Sequence, residues 1–495
     1  MYGWKRSSSA AWCGLVTLGL SACVGALSPP DMATPLPSGW ANADFRPSDT
    51  TRVQTAVRWR AFDDADLDRL VRQALAHNPD IAQSYFNLEA ARAFERSARA
   101  SERSAQVMAT GQSRHQSRLR GEGSAPSGLQ TSGRTLGYYE TGFDASWELD
   151  LFGRLSSGRD AARAERNIAQ ADFEAMRMSV AAEVARTYFE LRAAQTRREA
   201  FRRIIAFQTQ LSNVARDRRA VGLIDGIAFD RLETERAATE ALLPREEDLI
   251  DQAVRRLAIL TGTTSIPTDY LARGRQRFSG AVSVEGLPAE MLRARPDVSA
   301  AEQAVVRAAA EAGVARAELY PRLTFGGTLQ VTGDLVGAPL GGTSVIVSGG
   351  PSFSLPLFDW GQRRAVVDAR DMRVRAAAQA YRSTLLKAWA EAEGALSYYA
   401  AARKRADRLN SRVTATGREI DALLARQRQG MVDVIDILEA RITHERARLE
   451  LADALSDQSV GLVAIFKALA IELPLAAAPV ALSAARKGTQ RDDQK

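Results

Sequence analysis

Side chains that could do acid–base or nucleophilic chemistry do not come in catalytic patterns. Neighbouring carboxylates occur at Asp63 and Asp64 and again at Glu246 and Glu247, but both pairs lie in charge-rich helical stretches, which is typical of solvated helix faces. The sequence contains no GxSxG, HExxH or P-loop pattern. We therefore predict a protein that is not an enzyme and that needs no cofactor.

Histidine and cysteine, the usual protein ligands of transition metals, are equally sparse. His77, His115 and His444 are far apart in the sequence, and the two cysteines, Cys13 and Cys23, both lie near the N-terminus. The body of the chain can therefore hold neither a disulfide framework nor a CxxC zinc pair. We predict no metal site.

The first 22 residues have the features of a secretory signal. A basic start with Lys5 and Arg6 precedes an apolar run over residues 10–20, and small residues lead up to Cys23. The run is shorter than the roughly 20 residues that a membrane-spanning helix needs. Residues 20–23, Leu-Ser-Ala-Cys, resemble the lipobox of bacterial lipoproteins. This resemblance implies cleavage before Cys23, lipidation of Cys23 and a lipidated N-terminal extension over residues 23–62.

The composition favours long helices over a compact enzyme core. The 495 residues carry a formal net charge of +7, with both signs interspersed, and only 7% of the residues are aromatic. Interspersed charge is typical of solvated helix faces and not of a nucleic-acid stripe. We therefore predict no nucleic-acid partner.

The body of the chain divides into two similar halves, residues 63–265 and residues 285–473. A linker over residues 266–284 joins them, and a polar tail covers residues 474–495, which we predict to be disordered. Landmarks recur in the same order in both halves. They are Pro79 and Pro296 at predicted helix starts, Gly153 and Gly361 after apolar stretches, and Gly222 and Gly430 at predicted helix ends.

Each half is predicted to contain one very long helix, over residues 156–219 and 362–428. Apolar residues recur in them at spacings of three and four, which is the coiled-coil pattern. About 60 residues of helix extend roughly 90 Å at 1.5 Å per residue. This length suits a structure that crosses an aqueous compartment.

Two amphipathic strands are predicted in each half, at about residues 105–118 and 136–150 and at about 322–332 and 344–357. Apolar and polar residues alternate from Tyr139 onward and again after Pro321, which suits a membrane barrel. The first strand alternates poorly and is predicted mainly from the similarity of the halves. Four strands cannot close a barrel, because about eight is the practical minimum. The sequence therefore predicts a barrel that several chains share.

Several motifs in this order resemble the TolC/OprM-like outer-membrane efflux family, in its NodT-type lipoprotein branch. Besides the lipobox they are Arg295-Pro296-Asp297, Tyr320-Pro321, Leu355-Pro356-Leu357-Phe358-Asp359 with Gly361, and Gly430 followed by Asp433 and Leu438-Glu439-Ala440. The resemblance implies a mainly α protein with a membrane β-barrel: a duplicated helix–strand–strand–helix unit forming a homotrimer. Its 12-stranded barrel, with four strands per chain, stands on a long α-helical coiled-coil periplasmic tunnel.

The same resemblance implies the function and the partners. We expect a lipid-anchored channel in the outer-membrane lipid that passively conducts drugs and other small toxic compounds to the exterior. It would act with a periplasmic adaptor protein and an inner-membrane pump of the RND type. By the position of Gly430, the periplasmic gate is implied at Ile435 for an apolar ring and at Asp436, Glu439 and Arg441 for charged contacts.

Two other functions are compatible with parts of this pattern. Similar tunnels export proteins by type I secretion, so the cargo stays open. Periplasmic adaptors also carry long helical hairpins and sometimes lipid anchors, although a single hairpin between small β domains is their usual plan. Fractionation with the outer or the inner membrane distinguishes a channel from an adaptor.

Overall fold

The computed structural model describes residues 37, 39–40, 62, 64–116, 136–266, 288–336 and 343–470. The predicted signal, Cys23, the tail over residues 474–495 and nearly all of the linker lie outside the described residues. The helices are α1 (Ala65–His77), α2 (Pro79–Arg103), α3 (Arg154–Ala220), α4 (Gly226–Glu240), α5 (Leu243–Leu260), α6 (Pro288–Arg293), α7 (Pro296–Ala317), α8 (Gln362–Gln427) and α9 (Val434–Ala468). The strands are β1 (Gln106–Gln116), β2 (Leu136–Leu149), β3 (Arg322–Val336) and β4 (Ser344–Ser354).

The chain separates into two compact units. The sheet unit comprises residues 1–32, 89–168 and 302–380, and the helical unit comprises residues 33–88, 169–301 and 381–495. Among the described residues, no helix combines the length and apolarity needed to cross a bilayer.

The four strands of the sheet unit form one antiparallel sheet in the order β1-β2-β3-β4. The predicted alternation is present, because Phe143 pairs with Leu329 and Trp147 with Phe325 on one face. The rings of Trp147 and Phe325 lie 6.1 Å apart. These side chains are exposed in the single chain, with 56% of Phe143 accessible to solvent. The apolar face of the sheet therefore has no cover from the described residues of its own chain.

The opposite face of the sheet carries a hydrogen-bonded polar ladder. Glu140 on β2 accepts hydrogen bonds from Gln112 on β1 and from Gln330 on β3. The hydroxyl of Thr110 donates to Asp144 at 2.9 Å. The two faces thus differ in polarity along β2 and β3, the two inner strands of the sheet.

The third strand is longer than the sequence pattern indicates. Its predicted end is at about residue 332, but β3 runs to Val336. Gly333 pairs with Tyr139 and Asp334 with Tyr138, so the ladder with β2 carries the strand onward. A Gly-Asp pair favours a turn locally, and strand pairing overrides that preference here.

The helical unit is held together by the predicted seams. In α8, Leu385, Ala392, Leu396 and Tyr399 are buried, and in α3 the same is true of Val180, Val184, Tyr188 and Leu191. Trp389, also on the α8 seam, stacks on Trp40 with ring centroids 5.3 Å apart. The spacing of three and four therefore marks the residues that pack.

The helix that follows Gly222 is interrupted, unlike its counterpart α9. It ends at Glu240, and α5 begins at Leu243 with Pro244 in its first turn. Proline is favoured in the first turn of a helix, because the N–H that it lacks would have no acceptor within the helix. This proline, which has no counterpart inside α9, explains why the two halves differ at this point.

Candidate functional site

The candidate site lies in the helical unit, where α3 turns into α4 and α8 turns into α9. In the first turn Gly222 has φ +75°, the left-handed conformation that glycine adopts without strain. The N–H of Leu223 donates to the Arg218 carbonyl at 2.8 Å, and the N–H of Gly222 donates to the Arg219 carbonyl at 3.0 Å. This is the Schellman pattern, which satisfies the last carbonyls of α3.

The second turn repeats this geometry. Gly430 has φ +71°, and its N–H donates to the Gln427 carbonyl at 2.9 Å. The N–H of Met431 donates to the Arg426 carbonyl at 3.1 Å. The two glycine landmarks are thus equivalent in structure as well as in sequence.

An aspartate three residues after each glycine caps the next helix. Asp225 accepts a hydrogen bond from the Ala228 N–H at 2.8 Å at the start of α4. Asp433 accepts from the Ile435 N–H at 3.2 Å, and its own N–H donates to the Asp436 carboxylate at 3.2 Å. Asp433 and Asp436 therefore form a reciprocal capping box, which satisfies N–H groups that a helix start leaves free.

An ion pair joins the two turns. The Arg218 guanidinium, in the last turn of α3, donates to the Asp433 carboxylate at the start of α9. Both side chains are about one-third exposed. The hydrogen bond from Arg218 lowers the pKa of Asp433, and the N–H of Ile435 lowers it further. The carboxylate is therefore held ionised at the helix N-terminus, where negative charge is favoured.

Apolar packing supports this pair one turn further along. Ile204 and Leu211 of α3 form a buried cluster with Leu438 and Ile442 of α9. Ile435, predicted as an apolar gate residue, is partly buried and packs against this cluster.

The charged residues of the predicted gate have different surroundings. Asp436 and Glu439 are exposed, and Glu439 makes no ion pair with any residue in the described part of the chain. The guanidinium carbon of Arg441 lies 5.5 Å from the ring centre of Phe207, which is a cation–π contact. Asp436 thus has a capping role, whereas Glu439 is available to groups from outside the chain.

The roles of Arg218 and Phe207 could not be predicted from the sequence, because their partners are more than 200 residues away along the chain. The capping role of Asp436 could have been found, since an acid three residues after a capping aspartate is a helix-start pattern.

The remaining landmarks lie at helix and strand starts in other parts of the chain. Pro79 and Pro296 begin α2 and α7, and Pro321 directly precedes β3. Gly153 and Gly361 have φ +78° and +85° and directly precede α3 and α8.

The chain has two similar helical halves and one amphipathic four-stranded antiparallel sheet. These are the features of outer-membrane channels that are built from long helices. The family model for outer membrane efflux proteins matches residues 70–263 and 287–470, so the chain belongs to that family. It is an outer-membrane efflux protein and not an enzyme, and the alternative interpretation as a periplasmic adaptor is wrong.

Individual relatives align over nearly the whole chain. Outer membrane protein OprJ of Pseudomonas aeruginosa is 27% identical, over 92% of this chain and 94% of its own length. The pyoverdine export outer membrane protein OpmQ of Pseudomonas putida is 26% identical, over 92% of this chain and 95% of its own length. The solved structure of the outer-membrane channel OprN is 28% identical and covers 90% of this chain and 99% of its own, with a TM-score of 0.77.

Proposed function

We propose that this protein is the outer-membrane channel of a tripartite efflux system and that it works as a homotrimer. It passively conducts drugs and other small toxic compounds from the periplasm to the exterior. A periplasmic adaptor protein and an inner-membrane pump of the RND type are its partners. The relatives support an efflux role, since OpmQ is named for pyoverdine export.

The observation that carries this proposal is the sheet. Its apolar face is exposed, its polar face carries a ladder of charged and amide side chains, and β1 and β4 are its two edges. In a bilayer, every unpaired backbone group at an edge costs several kcal/mol (roughly 2–7). Three copies with four strands each pair all edges in a 12-stranded barrel, with lipid against the apolar face and water against the ladder.

The N-terminus supplies a second attachment to the membrane. We propose that Cys23 is lipidated after the signal over residues 1–22 is removed. Two or more acyl chains hold a protein at a membrane firmly, whereas one gives only marginal binding.

Glu439 is the gate residue that the surroundings favour most. It is exposed on α9 and has no ion-pair partner among the described residues, so carboxylates from three copies can meet around a threefold axis. Ile435 lies one turn before it, and Arg441 lies two residues after it, on another side of α9. Such a ring attracts cations and restricts the aperture.

The gate assignment is tested by single-channel recording in planar bilayers. We expect Glu439→Ala to raise the conductance of the closed channel and to admit larger antibiotics. Glu302→Ala is the matched control, because Glu302 on α7 is also exposed and has no ion pair within the described ranges. Equal conductance for both variants and the wild type contradicts the gate role of Glu439.

The channel function itself is tested with the wild-type protein in the same bilayers. We expect discrete conductance steps, and a detergent-resistant oligomer whose gel mobility changes on heating. Deleting the chromosomal copy should also raise sensitivity to pump substrates. A protein that forms no steps, with an unchanged sensitivity profile in the deletion strain, contradicts the proposed function.

A further inference from the structure

The segment that joins β4 to α8 holds large apolar side chains out in solvent. We call residues 355–364, from the end of β4 into the first turn of α8, the β4–α8 turn. Within it Leu357 is 86% exposed, Phe358 is 75% exposed and Trp360 is 91% exposed. The rings of Phe358 and Trp360 meet edge to face, with centroids 4.7 Å apart. These side chains have almost no cover from the described residues of their own chain.

The equivalent turn of the first half covers its aromatic residue. There Phe152 directly precedes Gly153, and its ring stacks on Tyr320 with centroids 4.8 Å apart. In the second half two further residues, 359–360, stand between Phe358 and the turn glycine. The exposed ring pair therefore belongs to the second half and does not follow from the fold that the halves share.

The backbone of the β4–α8 turn is strained. Trp360 has φ +55°, a left-handed conformation that is an outlier for a bulky side chain. The Asp359 carboxylate stabilises the turn, because it accepts hydrogen bonds from the N–H groups of Gly361 at 3.1 Å and Arg363 at 3.3 Å. Strained residues of this kind are concentrated at ligand-binding and other functional sites. The strain therefore favours a function for the exposed Trp360.

The same turn has an arginine without an ionic partner. Arg363 donates a hydrogen bond to Asp359 at 3.1 Å. Arg364 is exposed and makes no ion pair with a residue in the described ranges. The start of a helix favours negative charge, so two arginines there do not stabilise α8. With two positive charges against one negative charge, the turn attracts an anion from outside the chain.

Apolar and cationic groups of the turn line one open cavity of about 460 Å³. Leu357, Phe358, Trp360, Arg363 and Arg364 are among the residues that line it. This combination suits an amphiphile with an acyl chain and a phosphate. The acyl chain contacts the apolar side chains, and the phosphate pairs with a guanidinium.

The β4–α8 turn lies at the end of the sheet where the strands connect to helices. Ser354, the last residue of β4, pairs there with Arg322, the first residue of β3. Phe353 next to it is 67% exposed and continues the apolar face of the sheet. In the proposed channel this end meets the lipid leaflet that faces the periplasm. Tryptophan is favoured at such a boundary between acyl chains and water.

We propose that the β4–α8 turn binds an anionic phospholipid of this leaflet, with Trp360 in the headgroup region and Arg364 on the phosphate. This inference rests on the proposed function, because only a sheet in a bilayer brings lipid to the turn. Phosphatidylglycerol presents its phosphate without a neighbouring cation. Phosphatidylethanolamine carries an ammonium group that repels Arg364, so the site selects the anionic lipid.

Native mass spectrometry of the oligomer measures this selectivity, with phosphatidylglycerol or phosphatidylethanolamine added to the detergent micelles. We expect Arg364→Ala to weaken the binding of phosphatidylglycerol about fivefold and to leave that of phosphatidylethanolamine unchanged. The matched control is Arg373→Ala, because Arg373 on α8 is also exposed and has no ion pair within the described part of the chain. Equal binding of phosphatidylglycerol to both variants and the wild type overturns the inference.

A fluorescent probe at residue 360 shows what covers the turn. With Cys23 acylated and Cys13 removed with the signal, Trp360→Cys provides the only free thiol. We expect lipids that are spin-labelled near the headgroup to quench this probe and not one at Ser383→Cys, an exposed position further along α8. Quenching by aqueous iodide but not by the spin-labelled lipids overturns the inference. Shielding from both quenchers assigns the surface to a neighbouring copy and overturns it as well.

The outcomes separate this inference from the proposed function. A wild-type protein that gives conductance steps in bilayers, but binds both lipids alike, loses the lipid site and keeps the channel role. A protein that forms no channel loses both.

Discussion

Arg295 is the side chain whose removal should weaken the helical unit most clearly. It is 6% exposed and lies directly before α7. Its guanidinium donates to the Ala468 carbonyl at 2.7 Å, to Glu391 at 2.6 Å and to both carboxylate oxygens of Asp297 at 2.8 and 3.0 Å. It thus joins the start of α7 to α8 and to the end of α9.

The structure sets the size of the effect of Arg295→Ala. The Ala468 carbonyl belongs to a residue that is 1% exposed, and leaving such a group without a partner costs about 1–3 kcal/mol. The side chains of Asp297 and Glu391 are 46% and 49% exposed, so water solvates both after the change. Losing their charge-assisted bonds then adds only about 1 kcal/mol, and we expect a total of about 2–4 kcal/mol.

Guanidinium unfolding of the detergent-solubilised protein, followed by far-UV circular dichroism, measures this loss. The matched control is Arg405→Ala, because Arg405 makes one exposed ion pair with Asp457 at 3.0 Å and should contribute less than about 1 kcal/mol. Equal losses of stability in the two variants, within about 0.5 kcal/mol, contradict this role of Arg295.

The ion pair of Arg295 with Asp297 makes the stability of the protein depend on pH. Burial acts to raise the pKa of Asp297, but the hydrogen bond and charge of Arg295 outweigh it, and the net pKa is lowered. A carboxyl whose pKa is lower in the folded protein than in the unfolded chain stabilises the fold at any pH above the pKa of the unfolded chain, about 3.9. This contribution is lost as the pH falls through the pKa of the folded protein. The stability difference between wild type and Arg295→Ala should therefore be equal at pH 7 and pH 5 and shrink below about pH 4.

Three further changes have expected outcomes. Gly430→Ala should destabilise the protein by about 1 kcal/mol because φ is +71° there, whereas Gly394→Ala inside α8 should stabilise it slightly; unfolding midpoints that shift alike count against the turn geometry. Cys23→Ala should abolish incorporation of labelled palmitate, and undiminished labelling contradicts the lipobox assignment. Phe143→Lys should cost about 2–4 kcal/mol of folding into lipid vesicles, while Thr328→Lys on the polar face should fold normally; equal yields argue against a lipid-facing Phe143.

The long helices and the paired strands could be predicted because their signals are local. The seam in α8 follows a spacing of three and four, and the helix occupies Gln362–Gln427, close to the predicted 362–428. Alternation located β2 and β3, since each side of an amphipathic strand meets a different environment.

Strands and strand ends that form only because a neighbouring strand pairs with them could not be predicted from alternation. The strand β1 alternates poorly, yet it forms a full ladder with β2 from Gln106 to Gln116. The extension of β3 to Val336 likewise comes from its neighbour and not from its own residues.

Contacts between residues that are far apart in the sequence could not be predicted from local patterns. Arginine is abundant, and nothing local distinguishes Arg218 from the other arginines of α3. Only the fold brings Arg218 to Asp433.

Native mass spectrometry of the acylated protein, released from detergent micelles, tests the central claim most directly. The proposed homotrimer, in which three copies pair the open edges of their sheets, predicts a single species with the mass of three chains. A species with the mass of one chain, together with a circular dichroism spectrum that lacks a β contribution, would contradict the account.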